Sequence, residues 1–500
     1  MSLSPSPIDL PEARLRVPWD RPLRSKGDYV LYWMTANRRS SWNFALDRAV
    51  DHARALGKPL VVLEALRCDY PWASDRMHAF VLRGMGDQAQ AFGEQGIHYY
   101  PYVEPTQGAG KGLLQALAAR ACVVVADDCP SFFFPKMLAS ARLDVESRFE
   151  AVDSNGMLPL RACAKRFSRA YDFRRFLQRE LPQHLMHWPR AQPNLQPALA
   201  QLKGLPEDLL KRWPKTALED LGCEPAQLAQ WPIDHGVPPA PLFGGARAAE
   251  QQLDRFMGSA WASYGDTRNQ LAPDATSGFS AYLHFGQLSS HQIFARIVEA
   301  EDWSPEQLSE VSNGKREGWW GMGPSAEAFL DQLITWRELG LNAAIHDPAY
   351  RSLESIPNWA QESLRLHAGD ARPSLYSLEQ FDQGETHDEL WNAAQNQLRI
   401  EGRMPGYLRM LWGKKILHWS ESPQEAHRIM LELNNRYALD GRDPNSHSGI
   451  LWVLGKFDRA WGPERPVFGK LRYMTSESAR RKLRPKDYIE RWSGAGLNFS

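Results

Sequence analysis

Two patterns of apolar residues divide the chain. Up to about residue 150, short β-branched and aromatic runs alternate with amphipathic stretches. The runs predict buried parallel strands at Tyr29–Thr35, Pro59–Leu66, Ile97–Val103 and Ala121–Asp127. The stretches between them have helical spacing at Trp42–Leu56, Met77–Phe92 and Gly112–Arg120. Such alternation is typical of a doubly wound α/β domain with a parallel sheet.

The pattern changes twice after that region. From about Trp188 to Gly245 the chain is proline-rich and lacks apolar periodicity, which predicts a long surface connection with short helices. After Ala246 the pattern is helical nearly to the end, apart from a glycine-rich, charged stretch at 308–324 that predicts an exposed loop. We therefore expect an α/β domain over 1–180, a linker over 181–245 and an all-α domain over 246–500.

One stretch of the helical half, Thr386–Trp461, mixes tryptophans with ionisable and amide side chains. Apolar residues recur at threes and fours from Leu408 to Trp419, and LDGRDPN then breaks the helix. Buried charges need partners, so we expect Arg409 to pair with Asp440 or Asp443 inside a pocket. Such a pocket suits a large aromatic cofactor. The alternative is a tryptophan-rich helical core.

The composition excludes several classes of protein. The 500 residues carry no net charge, so any nucleic-acid site must be a local patch. The five cysteines show no C-x-x-C spacing, which favours reduced thiols in the cytoplasm. The N-terminus lacks the apolar core of a signal peptide, and no apolar run approaches the roughly 20 residues that a membrane span requires. We expect a cytoplasmic, soluble protein.

The sequence does not support a nucleotide-binding loop, a metal site or a nucleophile signature. The GAGKG stretch (108–112) resembles a phosphate-binding loop, but Pro105 stands where that loop needs glycine and Gly112 where it needs Ser or Thr. No G-x-G-x-x-G follows the first strand. His184 and His187 lack further ligands at recognisable spacing, so we predict no metal. A G-x-S-x-G nucleophile signature is also missing.

Three segments carry candidate binding residues. Tyr264 and the hydroxyl-rich turn Thr276–Ser280 could offer backbone N–H groups to phosphates. The alternative is an ordinary Ser/Thr helix cap, which has the same residue pattern. Gln332 and Trp336 are four apart, beside Arg337, and could form a base-stacking platform or simply a helix core. The run Lys470–Arg491 holds eight basic and three acidic residues and suits either DNA phosphates or a solvated face.

These residues together resemble the DNA photolyases, and among them the class II cyclobutane pyrimidine dimer photolyases. The specific segments are THDELWNAAQ, LRMLWGKKILHW, LNNRYALDGRDPN and ERPVFGKLRYM. The resemblance extends upstream through SGFSAYLHFGQLS and DQLITWREL to the VLYWM strand. It implies an N-terminal α/β antenna domain, a linker and an all-helical domain holding a U-shaped FAD. It also implies light-driven repair of pyrimidine dimers by electron transfer from reduced FAD.

The resemblance assigns the cofactor-binding residues. Asn434 would face flavin N5, with Asp443 and Asn445 as second candidates, and Arg409 and Asp440 would form an ion pair beside the ring system. The residues that would hold the FAD phosphates and ribose, or lie close to them, are Tyr264, Thr276, Ser277, Gly278, Phe279, Ser280 and Gln287. A second, antenna pigment could be a deazaflavin or a folate.

The resemblance also implies an electron relay and a lesion site. Trp412 would lie nearest FAD, Trp391 in the middle and Trp419 at the surface. Trp412 and Trp419 are seven residues apart, which on a helix is about 10 Å. Trp336 and Trp452 would flank a flipped-out dimer in double-stranded DNA, with Met410 between them and Gln332 at the base edge. We expect the protein to act as a monomer.

The chain departs from the family pattern at three places. Gln332 stands where the family has Glu, GLNAA (340–344) follows WREL, and SHSG (446–449) follows GRDPN. An amide can hydrogen bond a base but cannot deliver a proton. These departures leave an altered lesion preference open. Three rival hypotheses are a cryptochrome-like photoreceptor, an enzyme that repairs (6-4) lesions with His447 nearby, and a flavin-free nucleic-acid-binding module.

Overall fold

A computed structural model describes residues 10–271 and 276–493. Within them, six strands form one sheet in the order β1-β6-β5-β2-β3-β4. Strands β2 to β6 are parallel, and β1 runs antiparallel to β6 at the edge. The strands are β1 Leu15–Trp19, β2 Tyr29–Met34, β3 Leu60–Leu66, β4 His98–Val103, β5 Ala121–Asp127 and β6 Arg148–Val152.

Helices joined by irregular segments account for the described chain outside the sheet. The α-helices are α1 Phe44–Leu56, α2 Asp75–Glu94, α3 Leu113–Ala118, α4 Phe134–Asp144, α5 Ala170–Glu180, α6 Glu207–Arg212, α7 Pro225–Leu228, α8 Ala246–Arg255, α9 Tyr264–Thr267, α10 Ser280–His284, α11 Ser290–Ala300, α12 Pro324–Leu330, α13 Arg337–His346, α14 Asn358–Leu366, α15 Leu378–Gln383, α16 Glu389–Glu401, α17 Gly406–Trp419, α18 Pro423–Tyr437, α19 Pro444–Val453, α20 Ser476–Leu483 and α21 Lys486–Trp492. Two π-helical turns span Phe256–Ala260 and Asp331–Trp336.

The α/β domain follows from its apolar runs. Every residue of β2 and β5 is buried, as expected for parallel strands covered by helices on both faces. Asn43 starts α1 by accepting hydrogen bonds from the Ala45 and Leu46 amides. The four predicted strands and the three predicted helices are confirmed, with ends that shift by two residues at most. The short strands β1 and β6 were not predicted, since neither has a long apolar run.

The described chain after β6 consists of helices and irregular segments. Residues 181–245 contain only short helices, and the helical half contains α8 to α21. The stretch 308–324 is irregular as expected, but the expectation of an exposed loop is wrong for Trp319 and Trp320, which are buried. None of the described helices has the length and apolarity to cross a membrane. The five cysteines are free thiols.

Candidate active site

The helical half encloses a large cavity of about 600 Å³. Its walls come from α10 and the loop before it, from the π-helical turn 331–336, from the first turn of α17 and from α19. The lining residues that the sequence singled out are Tyr264, Thr276, Ser277, Phe279, Ser280, Gln332, Trp336, Arg337, Arg409, Met410, Asp440, Asp443, Asn445 and Trp452. Segments separated by almost 200 residues therefore meet at one place.

An ion pair forms one edge of this cavity. Arg409 lies in the first turn of α17, and Asp440 lies in the turn between α18 and α19. The two guanidinium nitrogens of Arg409 donate to the two Asp440 oxygens over 3.1 and 3.2 Å. This bidentate geometry holds both side chains in a fixed orientation. The structure thus selects Asp440 as the partner of Arg409, one of the two carboxylates that the sequence left open.

Asp443 serves a different purpose in the same turn. Its carboxylate accepts a hydrogen bond from the backbone N–H of Asn445 over 2.8 Å and so caps the N-terminus of α19. The His284 ring lies 3.5 Å from its other oxygen. Burial alone would raise the pKa of Asp443, but His284 and the positive charge of Arg337 hold that pKa below its ordinary value. A carboxylate therefore faces the cavity.

Two indole rings form flat walls of the cavity. The Trp336 indole N–H donates to Asp331 over 3.2 Å, and Asp331 pairs with the buried Arg174 guanidinium at 2.7 Å. The Lys414 ammonium and the Arg472 guanidinium lie 5.7 and 5.2 Å from the centroid of the Trp452 ring. Both indoles thus have charged neighbours, and both line the cavity.

Three tryptophans form a continuous row behind this region. The Trp412 and Trp391 rings are nearly parallel, with centroids 6.4 Å apart. Trp391 also contacts Trp419, at 6.2 Å between centroids. The Trp391 indole N–H donates to the Trp412 carbonyl, and the Trp412 N–H donates to buried Gln395. The rings are therefore fixed in the order 412, 391, 419.

A groove of about 520 Å³ adjoins the large cavity. It shares Tyr407, Met410 and Trp452 with that cavity. Three cationic side chains, Arg465, Arg472 and Lys482, also line it. Arg472 and Lys482 belong to the basic run that the sequence indicated. The groove therefore carries positive charge up to the mouth of the cavity.

A second cavity, of about 410 Å³, lies at the carboxyl ends of β2, β3 and β4. This edge holds the ligands of doubly wound folds, next to the point where the strand order reverses, here between β2 and β5. We call it the sheet-edge cavity. Its aromatic lining residues are Trp33, Tyr70, Tyr102, Phe132, Phe133, Phe134 and Phe285. Gly108, Gly110 and Lys111 of the GAGKG stretch line it as well.

The turn 440–443 separates the two cavities. Asp440 and Asp443 line the large cavity, whereas Arg442 between them lines the sheet-edge cavity. Arg442 adopts φ +66°, which turns its side chain away from those of its neighbours. The guanidinium is buried, and its Nη1 has no hydrogen-bond partner among the described residues. Burial lowers the pKa of Arg442 to about 10, so the side chain is still charged at neutral pH.

Comparisons with known proteins agree with this arrangement. No family model matches the chain. A deoxyribodipyrimidine photo-lyase from Methanothermobacter thermautotrophicus is 33% identical over 94% of this chain and 95% of its own length. Proteins of the same name from Arabidopsis thaliana and Potorous tridactylus are each 30% identical, over 97% and 95% of this chain. The chain belongs to the deoxyribodipyrimidine photolyase family.

A solved structure supports the fold independently. A bacterial class III photolyase from Agrobacterium tumefaciens matches with a TM-score of 0.67 at 16% identity, over 93% of this chain and 86% of that one. The combination of a mostly parallel sheet and a helical half is therefore the photolyase fold, as the sequence predicted.

Some site residues lie elsewhere than the sequence implied. Gln287 does not line the large cavity. Its amide oxygen accepts from the Gly245 N–H of the linker, and its amide nitrogen donates to the Phe80 carbonyl of α2.

The side-chain amide of Asn434 donates to Ser446, which lines the cavity, so Asn434 lies one residue behind the cavity wall. Gly278 does not line the large cavity and lies next to the Gln252 side chain. Trp412 is buried and does not line the cavity either, although Arg409 and Met410 of the same helix do.

The expected surface position of Trp419 is wrong. Only 1% of its surface is exposed, because Tyr376, His387 and Trp391 surround it. Helical spacing places Trp419 relative to Trp412 but says nothing of what packs on its far side.

Sequence reasoning also missed several lining residues. Arg268 and Asn269 follow α9, Arg316 lies in the glycine-rich loop, and Tyr407 begins α17. Arg316 was visible in a charged loop, but its position near the cavity depends on how that loop folds back. No local signal identified these residues.

Proposed function

We propose that the protein repairs cyclobutane pyrimidine dimers in DNA, by light-driven electron transfer from reduced FAD. The observation that carries this proposal is the large cavity, where a bidentate ion pair and a hydroxyl-rich turn meet two indole side chains beside a basic groove. Membership of the photolyase family supports DNA photorepair in general. The class II assignment is supported by the motifs around Trp391, Trp412 and Asp440.

The residues of the cavity fit an FAD molecule. Hydroxyls of Thr276, Ser277 and Ser280 and the guanidinium of Arg268 match the donors that a diphosphate needs. The Arg409–Asp440 pair, Asp443 and Asn445 offer both donors and acceptors to the polar edge of a flavin ring. Asn434 would act through Ser446 in this arrangement. When bound and excited, reduced FAD would supply one electron to the cyclobutane ring and regain it after the ring opens.

The protein's own part is to bind and orient the lesion. Trp336 and Trp452 would stack on a flipped-out dimer, with Met410 between them and the Gln332 amide at the base edge. A dimer pairs and stacks poorly, so it costs less to flip than a normal base. Arg465, Arg472 and Lys482 in the adjoining groove would bind phosphates of the damaged duplex.

Two further features belong to the proposal. The tryptophan row 412, 391 and 419 would carry electrons towards FAD, since adjacent rings lie within 6.4 Å of each other. The sheet-edge cavity would hold an antenna pigment, a deazaflavin or a folate, between its aromatic side chains. The free Nη1 of Arg442 would donate to a polar group of that pigment. We propose a cytoplasmic monomer as the active form.

The test uses the purified protein and an oligonucleotide duplex with one thymine dimer. We expect a flavin absorption spectrum, and dimer loss under blue light but not in the dark. Trp336→Ala should lower the repair rate while keeping the flavin spectrum. A flavin-containing protein that leaves the dimer intact under light would favour a cryptochrome-like photoreceptor. A colourless protein would contradict the proposal altogether.

A further inference from the structure

The buried position of Trp419 raises the question of where the tryptophan row reaches solvent. Among the described residues, three rings contact Trp419: Trp391 on one side and Tyr376 and His387 on the other. Trp391 is itself buried and connects Trp419 to Trp412, away from solvent. Any electron that enters the row from solvent must therefore pass through or beside the other two rings.

Tyr376 is joined to both Trp419 and solvent. Its ring centroid lies 5.7 Å from that of Trp419, and its backbone N–H donates to the Trp419 carbonyl over 3.2 Å. The side chain is half-buried, in the segment between α14 and α15. Its ring is thus fixed at contact distance from the indole while part of it reaches the surface.

His387 completes the arrangement just before α16. Its Nδ1 lies 2.6 Å from the Tyr376 phenol oxygen, and its backbone N–H donates to the same oxygen over 3.1 Å. When the ring proton is on Nε2, Nδ1 is an acceptor and the phenol O–H points at it. The imidazole is exposed, so it can exchange a proton with water.

We propose that Tyr376 is the terminal electron donor of the tryptophan row and that His387 accepts its phenolic proton. This inference rests on the proposed electron relay. In the step, one electron passes from Tyr376 to the oxidised Trp419 cation radical, which becomes a neutral indole again. The phenolic proton moves to Nδ1 of His387 at the same time. The products are a neutral tyrosyl radical and an imidazolium.

Charges near Trp419 favour this transfer. The Lys415 ammonium lies 5.0 Å from the Trp419 ring centroid, so a positive charge on that indole is repelled. Moving the electron hole to Tyr376 with loss of the proton leaves no charge on either ring. The positive charge ends on exposed His387, where water stabilises it. Among the described residues, Asp388 interacts electrostatically with Lys415, and His418 interacts with both Lys415 and His387.

An external thiolate closes the cycle. It gives one electron to the tyrosyl radical, and His387 returns the proton to the phenol oxygen. A thiyl radical is released, and the phenol and the neutral imidazole are restored. The half-exposed phenol can meet such a reductant, whereas Trp419 cannot.

The test is electron paramagnetic resonance of the flavin-loaded protein, frozen under blue light. We expect a tyrosyl radical in the unaltered protein and none in Tyr376→Phe, with several-fold slower flavin photoreduction by a thiol. His387→Gln should slow tyrosyl formation by on the order of a hundredfold. Imidazole added to the buffer should restore part of that rate, because the position is exposed. A merely structural role would not respond to added base.

Two further variants distinguish failure of this inference from failure of the proposed electron relay. Tyr171→Phe removes an exposed phenol far along the chain, and photoreduction should be unchanged. Trp412→Phe should abolish photoreduction and the tyrosyl signal together. A tryptophanyl radical in the unaltered protein, or equal photoreduction in Tyr376→Phe, would overturn the inference but leave the relay intact. Undiminished photoreduction in Trp412→Phe would overturn the relay itself.

Discussion

At the scale of one residue, the Gln332 side chain defines what the large cavity can offer to a base. It lines the large cavity, and its side-chain amide has no protein hydrogen-bond partner among the described residues. Its amide offers a donor and an acceptor to a base edge, but it cannot release a proton as a carboxylic acid would. The residue therefore suits recognition of a dimer more than proton transfer to it.

Gln332→Leu should weaken binding of dimer-containing DNA. Loss of the amide removes hydrogen bonds worth about 1 to 1.5 kcal/mol, or roughly a tenfold rise in Kd. Flavin absorption should not change, since the ion pair and the hydroxyl-rich turn remain. Fluorescence anisotropy with damaged and undamaged duplexes measures the effect. Gln383→Leu, at an exposed position of α15, is the matched control. Equal Kd values for both variants would exclude contact between Gln332 and the lesion.

His447 makes stability sensitive to acid. It is buried beside Tyr350, and neither ring nitrogen has a partner among the described residues. Burial and the charge of Arg351 lower its pKa to about 3. Since the folded pKa lies below the ordinary value of about 6.5, the unfolded chain binds more protons between these pH values. The free energy of unfolding should therefore fall as the pH decreases from 6.5.

His447→Phe should reduce that pH dependence by the share that His447 contributes, while other buried histidines such as His78 keep theirs. The histidine contributes up to about 1.4 kcal/mol for each pH unit below 6.5. Urea unfolding at pH 7, 6 and 5 gives the slope, which is compared between variants so that any packing cost of the phenyl ring cancels. His187→Asn, at an exposed position, should keep the full slope. An unchanged slope in His447→Phe would show that the ring is charged or open to water.

At the scale of one element, the π-helical turn Asp331–Trp336 presents the cavity residues. A π-helical turn is rare and often occurs at functional sites. Here it exposes Gln332 and Trp336 to the cavity while Asp331 points inward to Arg174 of α5. Both members of that ion pair are buried. The pair thus joins the turn to α5 and holds the Trp336 indole.

Asp331→Asn should destabilise the protein and loosen Trp336. The neutral amide leaves the Arg174 guanidinium buried without a counter-charge, which costs about 3 to 5 kcal/mol. Guanidinium chloride unfolding measures this loss. The double change Asp331→Leu with Arg174→Met removes both charges and should recover most of the stability, but not the affinity for dimer-containing DNA. Full recovery of that affinity would show that the indole needs no support from Asp331.

At the scale of the whole molecule, Arg76 of α2 joins the two halves. Its buried guanidinium donates to the Leu398 carbonyl near the end of α16 and to the Tyr437 carbonyl at the end of α18, over 3.3 and 2.9 Å. Its Nε donates to Pro238 of the linker. A cation suits helix C-termini, where carbonyls lack partners and the dipole is negative. A single side chain of the α/β domain therefore forms hydrogen bonds with both the linker and the helical half.

Arg76→Met should lower the free energy of unfolding by about 3 kcal/mol, because several carbonyls lose a hydrogen bond from the guanidinium. The methionine fills most of the space, so the loss reports mainly on hydrogen bonds and charge. Arg179→Met, at an exposed position of α5, should change stability by less than about 0.5 kcal/mol. Chemical unfolding followed by tryptophan fluorescence compares the two. A loss in Arg76→Met no larger than in the control would mean that water replaces the guanidinium.

The sequence by itself determined most strands of the sheet and much of the large cavity. Four of the parallel strands have long apolar runs, and helices have apolar spacing of three and four, so both are visible locally, whereas the short strand β6 has no such run. The pairing of Arg409 was foreseeable because a charge among tryptophans requires a partner. The photolyase family followed from motifs that lie on these elements.

Only the tertiary structure decided what lies behind and between those elements. It buried Trp419 beneath Tyr376 and His387, placed Asn434 behind Ser446 and drew Gln287 into the contact between linker and α2. It also brought the GAGKG stretch and Arg442 to one cavity from opposite halves of the chain. The physical reason is that exposure and partners depend on contacts between distant segments, whereas periodicity reports only the few residues within one or two turns.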